Sequence, residues 1–164
     1  MLSRRQLLKG CVCGLAAMSA GPLLWTEAAR AAADEKVTHS EAEWRTLLSR
    51  DQYAVLREEG TERPFSSPLL HEARAGTFTC AGCDLPLFSS KTKFDSGTGW
   101  PSFWAPLDGA VDKKVDNSLG MTRIAVTCHR CDGHLGHVFD DGPAPTGLRY
   151  CMNGLALKFV PSAV

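Results

Sequence analysis

The chain has 164 residues, 44% hydrophobic and 22% charged, with no formal net charge and a pI near 6.9. That is the composition of one globular domain with one core, and two domains are not expected. A neutral balance excludes the basic footprint of a nucleic-acid-binding protein and a polybasic membrane patch, which leaves a small chemical group or a protein surface as partner.

Residues 1–33 read as an address. Ser3-Arg4-Arg5-Gln6-Leu7-Leu8-Lys9 is a twin-arginine signature, followed by a weakly apolar stretch and the small-residue pattern Ala29-Arg30-Ala31. Pro22 interrupts an apolar run already too short to span a bilayer, and Lys9 fits poorly with a lipid anchor on Cys11. The expectation is therefore an exported, periplasmic protein cleaved near Ala31 to Ala33, with no stable membrane anchor. Cleavage removes four basic residues and one acidic one, leaving 14 basic against 17 acidic. It also removes Cys11 and Cys13, so five cysteines remain, an odd number that leaves one thiol over.

Residues 34–38 have no apolar period and read as a disordered leader to a domain over 39–162. Thr38-x-x-Glu41 and Ser40-x-x-Glu43 both have capping-box spacing, and Trp44, Leu47 and Leu48 then recur at helical intervals. Tyr53 and Leu56 mark a second short helix, with Gly60 as its stop and Pro64 forbidding continuation. Beyond Pro64 short apolar runs broken by Gly, Pro, Ser and Asp predict a mainly β domain with antiparallel sheets. The predicted strands are Gly76 to Cys80, Leu85 to Ser89, Met121 to Cys128, His137 to Phe139 and two near the end. Leu155, Leu157 and Phe159 alternate with Ala156, Lys158 and Val160, and the stretches Asp95 to Pro101 and Asp140 to Gly147 read as loops.

Cys80-x-x-Cys83 and Cys128-x-x-Cys131 are two pairs separated by 44 residues. Each places two sulfurs on one tight turn, and two facing turns make the tetrahedral cage that zinc accepts as a closed, structural site. The same cage accepts iron, though export favours redox-silent zinc. Two disulfides are the competing reading in an oxidising compartment; bridges across a two-residue gap are strained, which weighs against it. His134 and His137 follow Cys131 at three-residue steps, so a mixed Cys/His ligand set stays open.

Cys151 is solitary. A lone cysteine is more often a small buried hydrophobe than a nucleophile. Its flanks alter the balance: Arg149, two residues before it, shares its face in a strand and is expected to lower the thiol pKa, while Asn153, two residues after, is placed to donate a hydrogen bond.

At this point three blocks, KFDSGTGWPSF (Lys93 to Phe103), CHRCDGHLGHVFDDGP (Cys128 to Pro143) and TGLRYCMNGLALKF (Thr146 to Phe159), closely resemble the signatures of the B-type methionine sulfoxide reductases. GTERPF (Gly60 to Phe65) and the CAGC turn agree, so the resemblance runs from about Ser40 to Pro161. It implies two antiparallel sheets clamped by a four-cysteine zinc site, with short N-terminal helices. It further implies a nucleophile at Cys151 that reduces the R epimer of methionine sulfoxide in proteins and becomes a sulfenic acid. By the same resemblance His137, with His134 and Asn153, polarises the sulfoxide oxygen, Arg149 supports the thiolate, and Trp100 with Phe139 walls the substrate methyl group; a core aromatic is the plain alternative for Trp100.

The chain departs from that pattern at two places. Many members carry a resolving cysteine where Thr98 stands, so an external thiol, thioredoxin-like or other, is expected to reduce the sulfenic acid. Members commonly have serine where Gly154 stands, which puts a local side-chain hydrogen bond in doubt. Asp95 and Asp140 read as turn-capping loop acids. Two rivals remain: a non-catalytic zinc-clamped binding module, for which an ordinary or raised Cys151 pKa would speak, and an open zinc hydrolase using His134 and His137.

Overall fold

The computed structural model describes residues 35–163; the twin-arginine segment with Cys11 and Cys13 lies outside the described residues. Ser40 opens helix α1 (Glu41–Leu47) with the expected capping box, its hydroxyl accepting the Glu43 N–H at 3.3 Å and the Glu43 carboxylate accepting the Ser40 N–H at 2.7 Å. A second box, Ser49 with Gln52, opens α2 (Arg50–Glu58). Glu59, not Gly60, takes the left-handed position that ends it, with φ 57°. Trp44, Leu48, Tyr53, Val55 and Leu56 are buried, while Leu47, on the predicted apolar interval, is exposed.

In the stretch expected as a leader, the Val37 N–H donates to the Arg130 carbonyl at 2.8 Å, and the Lys36 amine lies 3.3 Å from the Asp132 carboxylate. Among the described residues no helix is long and apolar enough to cross a membrane.

The remainder is β structure in two antiparallel sheets. Strands β1 (Gly76–Cys80) and β2 (Pro86–Ser89) form a hairpin. Then come β3 (Lys93–Phe94), β4 (Ser102–Phe103), β5 (Val111–Asp116), β6 (Arg123–Cys128), β7 (His134–Phe139), β8 (Arg149–Met152) and β9 (Leu157–Pro161). One sheet runs β2-β1-β9, the other β3-β4-β8-β7-β6-β5. Phe103 joins them: its ring stacks on Phe88 at 4.4 Å and meets Phe78 edge-on at 4.9 Å.

Several boundaries differ from the sequence expectation, each for a physical reason. Strand β5, VDKKVD, was not expected because it is an edge strand with no buried face, held by its full ladder to β6. Met121 is exposed in a turn before β6. Strand β7 starts three residues earlier than predicted, because a bulge at Leu135, opposite Val126 and Thr127, leaves Leu135 unpaired and carries the ladder on from Gly136 to His134. The alternation ending in Leu157 and Phe159 is a strand only from Leu157. Leu155 lies in a 3₁₀ turn because the Gly154 and Leu155 N–H groups donate to the buried Glu62 carboxylate, at 2.5 and 3.0 Å, and leave the ladder.

Candidate metal centre and active site

The four cysteines sit on two turns built alike. In one, the Cys80 N–H donates to the Leu85 carbonyl at 2.8 Å and the Asp84 N–H to the Cys80 carbonyl at 2.9 Å. In the other, the Cys128 N–H donates to Gly133 at 2.8 Å and the Asp132 N–H to Cys128 at 2.9 Å. Each turn needs a left-handed residue after its second cysteine, and aspartate, which tolerates that conformation, stands at both, with φ 60° at Asp84 and 56° at Asp132. Guanidinium groups brace both turns: Arg57 donates to the Cys131 carbonyl and Arg130 to the Cys83 carbonyl, each at 2.8 Å.

The turns face one another. Sulfur separations are 3.6 Å for Cys80 with Cys131 and 3.5 Å for Cys83 with Cys128, and all four lie within 4.8 Å. A regular tetrahedron of thiolates about 2.3 Å from zinc has edges of about 3.8 Å, so these donors fit a tetrahedral metal with little movement. The contacts are not bonds, all four being free thiols, which removes the two-disulfide reading. The ligand cluster comprises the cysteines and neither histidine. Since β1 and β6 belong to different sheets, a metal here clamps one sheet to the other.

The second site lies in the middle of the larger sheet. Strand β8 pairs with β4 on one side and β7 on the other, so Cys151 stands opposite Ser102 and His137 in a single row, and directly opposed residues share a face. A pocket of about 130 Å³ opens on that face, lined by Cys151, His137, Asn153, Trp100 and Phe139 among the expected residues, and by Thr61, Arg123 and Gly136 in addition. Gly136 is fixed by close approach: a Cβ there would lie 2.2 Å from the Cys151 carbonyl oxygen.

His137 is fixed by an acid not anticipated from sequence. Its Nε2 lies 2.8 Å from Asp116 Oδ2, to which Arg123 also donates at 2.7 Å, while the Ser118 N–H donates to Oδ1 at 2.8 Å. Hydrogen bonds from Ser118 and His137 and the Arg123 charge hold the Asp116 carboxyl well below the usual carboxylate range. An ionised acceptor keeps a proton on His137 Nε2, so Nδ1 is the nitrogen left for chemistry. Asp116 ends an edge strand rich in lysine and aspartate, and only its pairing with β6 distinguishes it from an ordinary surface acid.

His134 lies outside the pocket wall. It is buried, its ring meets that of His137 at 5.3 Å, and among the described residues neither of its nitrogens has a hydrogen-bond partner. Burial, with the neighbouring His137, lowers its pKa to about 4, so at neutral pH it is an uncharged support.

Asn153 is clasped at both ends. Its Oδ1 accepts the Glu62 N–H at 3.0 Å and its Nδ2 donates to the Leu135 carbonyl at 3.1 Å, which leaves one N–H free to donate. Glu62 also accepts the Trp100 indole N–H on its carbonyl at 3.2 Å, which fixes Trp100 as a pocket wall and not a core aromatic. Neither this tie nor the Asn153 clasp could be read from GTERPF alone.

Arg149 does less than its spacing suggested. Its guanidinium makes a bidentate pair with Asp141, both contacts at 2.8 Å, and lies 4.4 Å over the Phe139 ring. The Cys151 thiol is pushed up, not down: burial outweighs the Thr98 hydroxyl, then the Arg149 charge, which act the other way. Asp95 caps its own turn, accepting the Gly97 N–H at 2.9 Å. At Gly154 a Cβ would meet Ser67 Oγ at 1.8 Å, so the Ser67 hydroxyl fills the space a side chain would need.

Comparison with known proteins gives a consistent result. The model of the SelR domain matches residues 48–161. A protein of Bradyrhizobium diazoefficiens named peptide methionine sulfoxide reductase MsrB is 60% identical over 129 residues, covering 78% of this chain and 93% of the relative. Proteins of the same name from Pseudomonas putida and Methanosarcina barkeri are 57% and 55% identical over 128 residues, 77% of this chain, and are covered over 96% and 90% of their own lengths.

The buried His134 carries a pH dependence. Its pKa near 4 in the fold lies below the usual 6.5, so the unfolded chain takes up a proton that the fold refuses. The stability it contributes is complete above pH 6.5 and declines as pH falls toward 4. We expect a loss of roughly 2 kcal/mol between neutral pH and pH 5 that His134→Phe removes, measured as the difference between the two proteins in denaturant unfolding. Parallel pH profiles for the two would contradict this.

Proposed function

Because this chain belongs to the SelR-domain family of peptide methionine sulfoxide reductases, we propose that it reduces protein-bound methionine-R-sulfoxide through the thiol of Cys151. The observation that carries the reading is the row that sets Cys151 beside His137 at the floor of an apolar-walled pocket. Methionine sulfoxide exists as two epimers, each repaired by its own enzyme type, of which this family is the B type. Trp100 and Phe139 form the walls against which the substrate methyl group packs, and their placement favours one epimer.

Oxide is a poor leaving group, so the sulfoxide oxygen must gain a proton as its sulfur is attacked. The Cys151 thiol supplies the proton that its ionisation releases. His137 Nδ1 can take it and pass it to the oxygen, while Nε2 stays on Asp116; the remaining Asn153 N–H binds the same oxygen. The raised thiol is the sign expected of a binding module, yet a thiol that keeps its proton until substrate arrives is compatible with catalysis, and the reductase relatives at 55–60% identity speak against the binding module. In the step, the Cys151 sulfur bonds the sulfoxide sulfur as the oxygen gains its proton. The hydroxyl then passes to the Cys151 sulfur as the S–S and methionine S–O bonds of the adduct break, so methionine leaves reduced by two electrons and Cys151 is oxidised to a sulfenic acid. A first external thiol displaces water to give a mixed disulfide, and a second restores Cys151 and departs as the oxidised disulfide. Thr98, at 3.8 Å from the Cys151 sulfur, is a hydroxyl and cannot serve as an internal resolving thiol. The reductant is accordingly an external thiol, of thioredoxin-like type, and the protein-bound sulfoxide is the partner.

Zinc is the metal read for the sulfur cage, where it would supply no reactive position, only the clamp between the two turns. The twin-arginine signature supports a periplasmic site of action and a role in repairing oxidised envelope proteins.

Cys151→Ser is expected to abolish reduction of blocked methionine-R-sulfoxide with dithiothreitol while keeping one zinc per chain; Cys128→Ser should lose the zinc. Activity retained in Cys151→Ser refutes the nucleophile. A single turnover without reductant should add one oxygen to the Cys151 peptide in a mass spectrum, and a disulfide in its place contradicts the one-cysteine cycle. For the address, residues 1–33 fused to a reporter should deliver it across the inner membrane only when the twin-arginine translocase is present; a reporter retained in the cytoplasm refutes export.

A further inference from the structure

Behind the Cys151 sulfur runs a line of hydroxyls that the chemistry above does not use. Thr98 Oγ1 is 3.8 Å from Cys151 Sγ and 2.8 Å from Ser96 Oγ. Ser96 Oγ is 2.7 Å from Ser102 Oγ, which in turn donates to the Trp100 carbonyl at 3.2 Å. Ser102 is fully buried and is the strand partner of Cys151. The loop does not need the Thr98 hydroxyl for its turn, since Asp95 already accepts the Gly97 N–H.

Each hydroxyl has one proton, and a carbonyl can only accept. When the protonated thiol donates to Thr98, the rest of the line follows: Thr98 donates to Ser96, Ser96 to Ser102, and Ser102 to the Trp100 carbonyl, while the Ser102 hydroxyl also lies beside the sulfur itself. A thiolate has no proton to give. The line can then turn round, with Ser102 donating to Ser96, Ser96 to Thr98 and Thr98 to the sulfur, at the expense of the Ser102 bond to the Trp100 carbonyl. Only O–H bonds rotate within the line; the one proton that departs is the thiol's own, which His137 takes.

We propose that Thr98, Ser96 and Ser102 form a reversible hydrogen-bond chain that holds the Cys151 sulfur in both charge states, with Thr98 the positioning residue for the ionised form. This rests on the reading of Cys151 as nucleophile. The charged and titratable groups around the sulfur come from elsewhere: Arg149 of β8 with its Asp141 partner, His137 of β7 with Asp116 of β5, and Arg123 of β6. Strand β4 contributes only the Ser102 hydroxyl. Among the influences that favour the thiolate, the Thr98 hydroxyl is the strongest, ahead of the Arg149 charge. A hydrogen bond to a charged acceptor is stronger than one to a neutral thiol, so losing it disfavours ionisation.

The test is iodoacetamide alkylation of Cys151 in the full-length, metal-loaded chain, followed by mass spectrometry of its peptide from about pH 6 to 10. Thr98→Val is expected to move the alkylation midpoint up by about half to one pH unit and to slow alkylation about three- to tenfold near pH 7. Thr98→Ser should restore the wild-type profile, and Ser102→Ala should shift it upward by less. Thr98→Ala serves as the second variant should valine disturb the loop. A midpoint unmoved in Thr98→Val and Thr98→Ala, or not restored by serine, overturns the chain. Alkylation needs no sulfoxide, so that result is distinct from failure of the nucleophile reading, which shows as activity in Cys151→Ser.

Discussion

Strand β8 is paired on both sides, and that pairing is the constraint on which the catalytic side of the molecule depends. Its ladders to β4 and β7 put Cys151 in one row with Ser102 and His137. A slip of one residue on either side would turn the wrong side chain to the pocket, because strand residues alternate between faces. Register is secured by what packs beneath: Tyr150 and Met152, which alternate with Cys151, are buried in the core, and Tyr150 meets the Phe88 ring at 6.0 Å. The same apolar packing that joins the sheets therefore aims the nucleophile.

Polar ties take over where the ladder ends. Glu62, from a loop with no regular structure, receives the N–H groups of Gly154 and Leu155, gives its own N–H to Asn153 and accepts the Trp100 indole N–H. One buried residue thus sets a wall of the pocket, orients the pocket-lining Asn153 amide and starts the turn into β9. Burial raises the pKa of its carboxyl, and the two backbone donors oppose that, an arrangement in which each buried polar atom has a partner. The metal turns act at the other end of the sheets. Their similar hydrogen bonding, with aspartate in the left-handed position twice, brings the four sulfurs to metal-binding distance of one another.

Much of the site was legible from residues close in sequence. The cysteine pairs, the capping box at Ser40 and the loop of Asp95 to Pro101 each have a short-range signal, and the structure places them as expected. Three signature blocks led to the family and to Cys151. The missed residues lack such a signal. Asp116 lies in an edge strand that reads as solvated surface, Arg123 opens a strand, and Glu62 sits in a loop. Each acquires its role from a contact distant along the chain. The expected effect of Arg149 went wrong for a related reason. Sequence spacing reports that a cation is near the thiol, but not how much water has been taken from the sulfur, and here burial outweighs the cation.

The sequence by itself determined which chemistry was possible: four cysteines at metal spacing, one further cysteine among residues 35–163, histidines able to carry a proton, and Thr98 in place of a second thiol. Those are facts of residue type and short spacing. Tertiary structure decided how these groups divide the work. It placed His137 on Asp116, withdrew His134 into the interior as a neutral ring, clasped Asn153, tied Arg149 to Asp141 and laid three hydroxyls behind the sulfur. Burial and the direction of a hydrogen bond depend on strands brought together from across the chain, and no local pattern of residues encodes them.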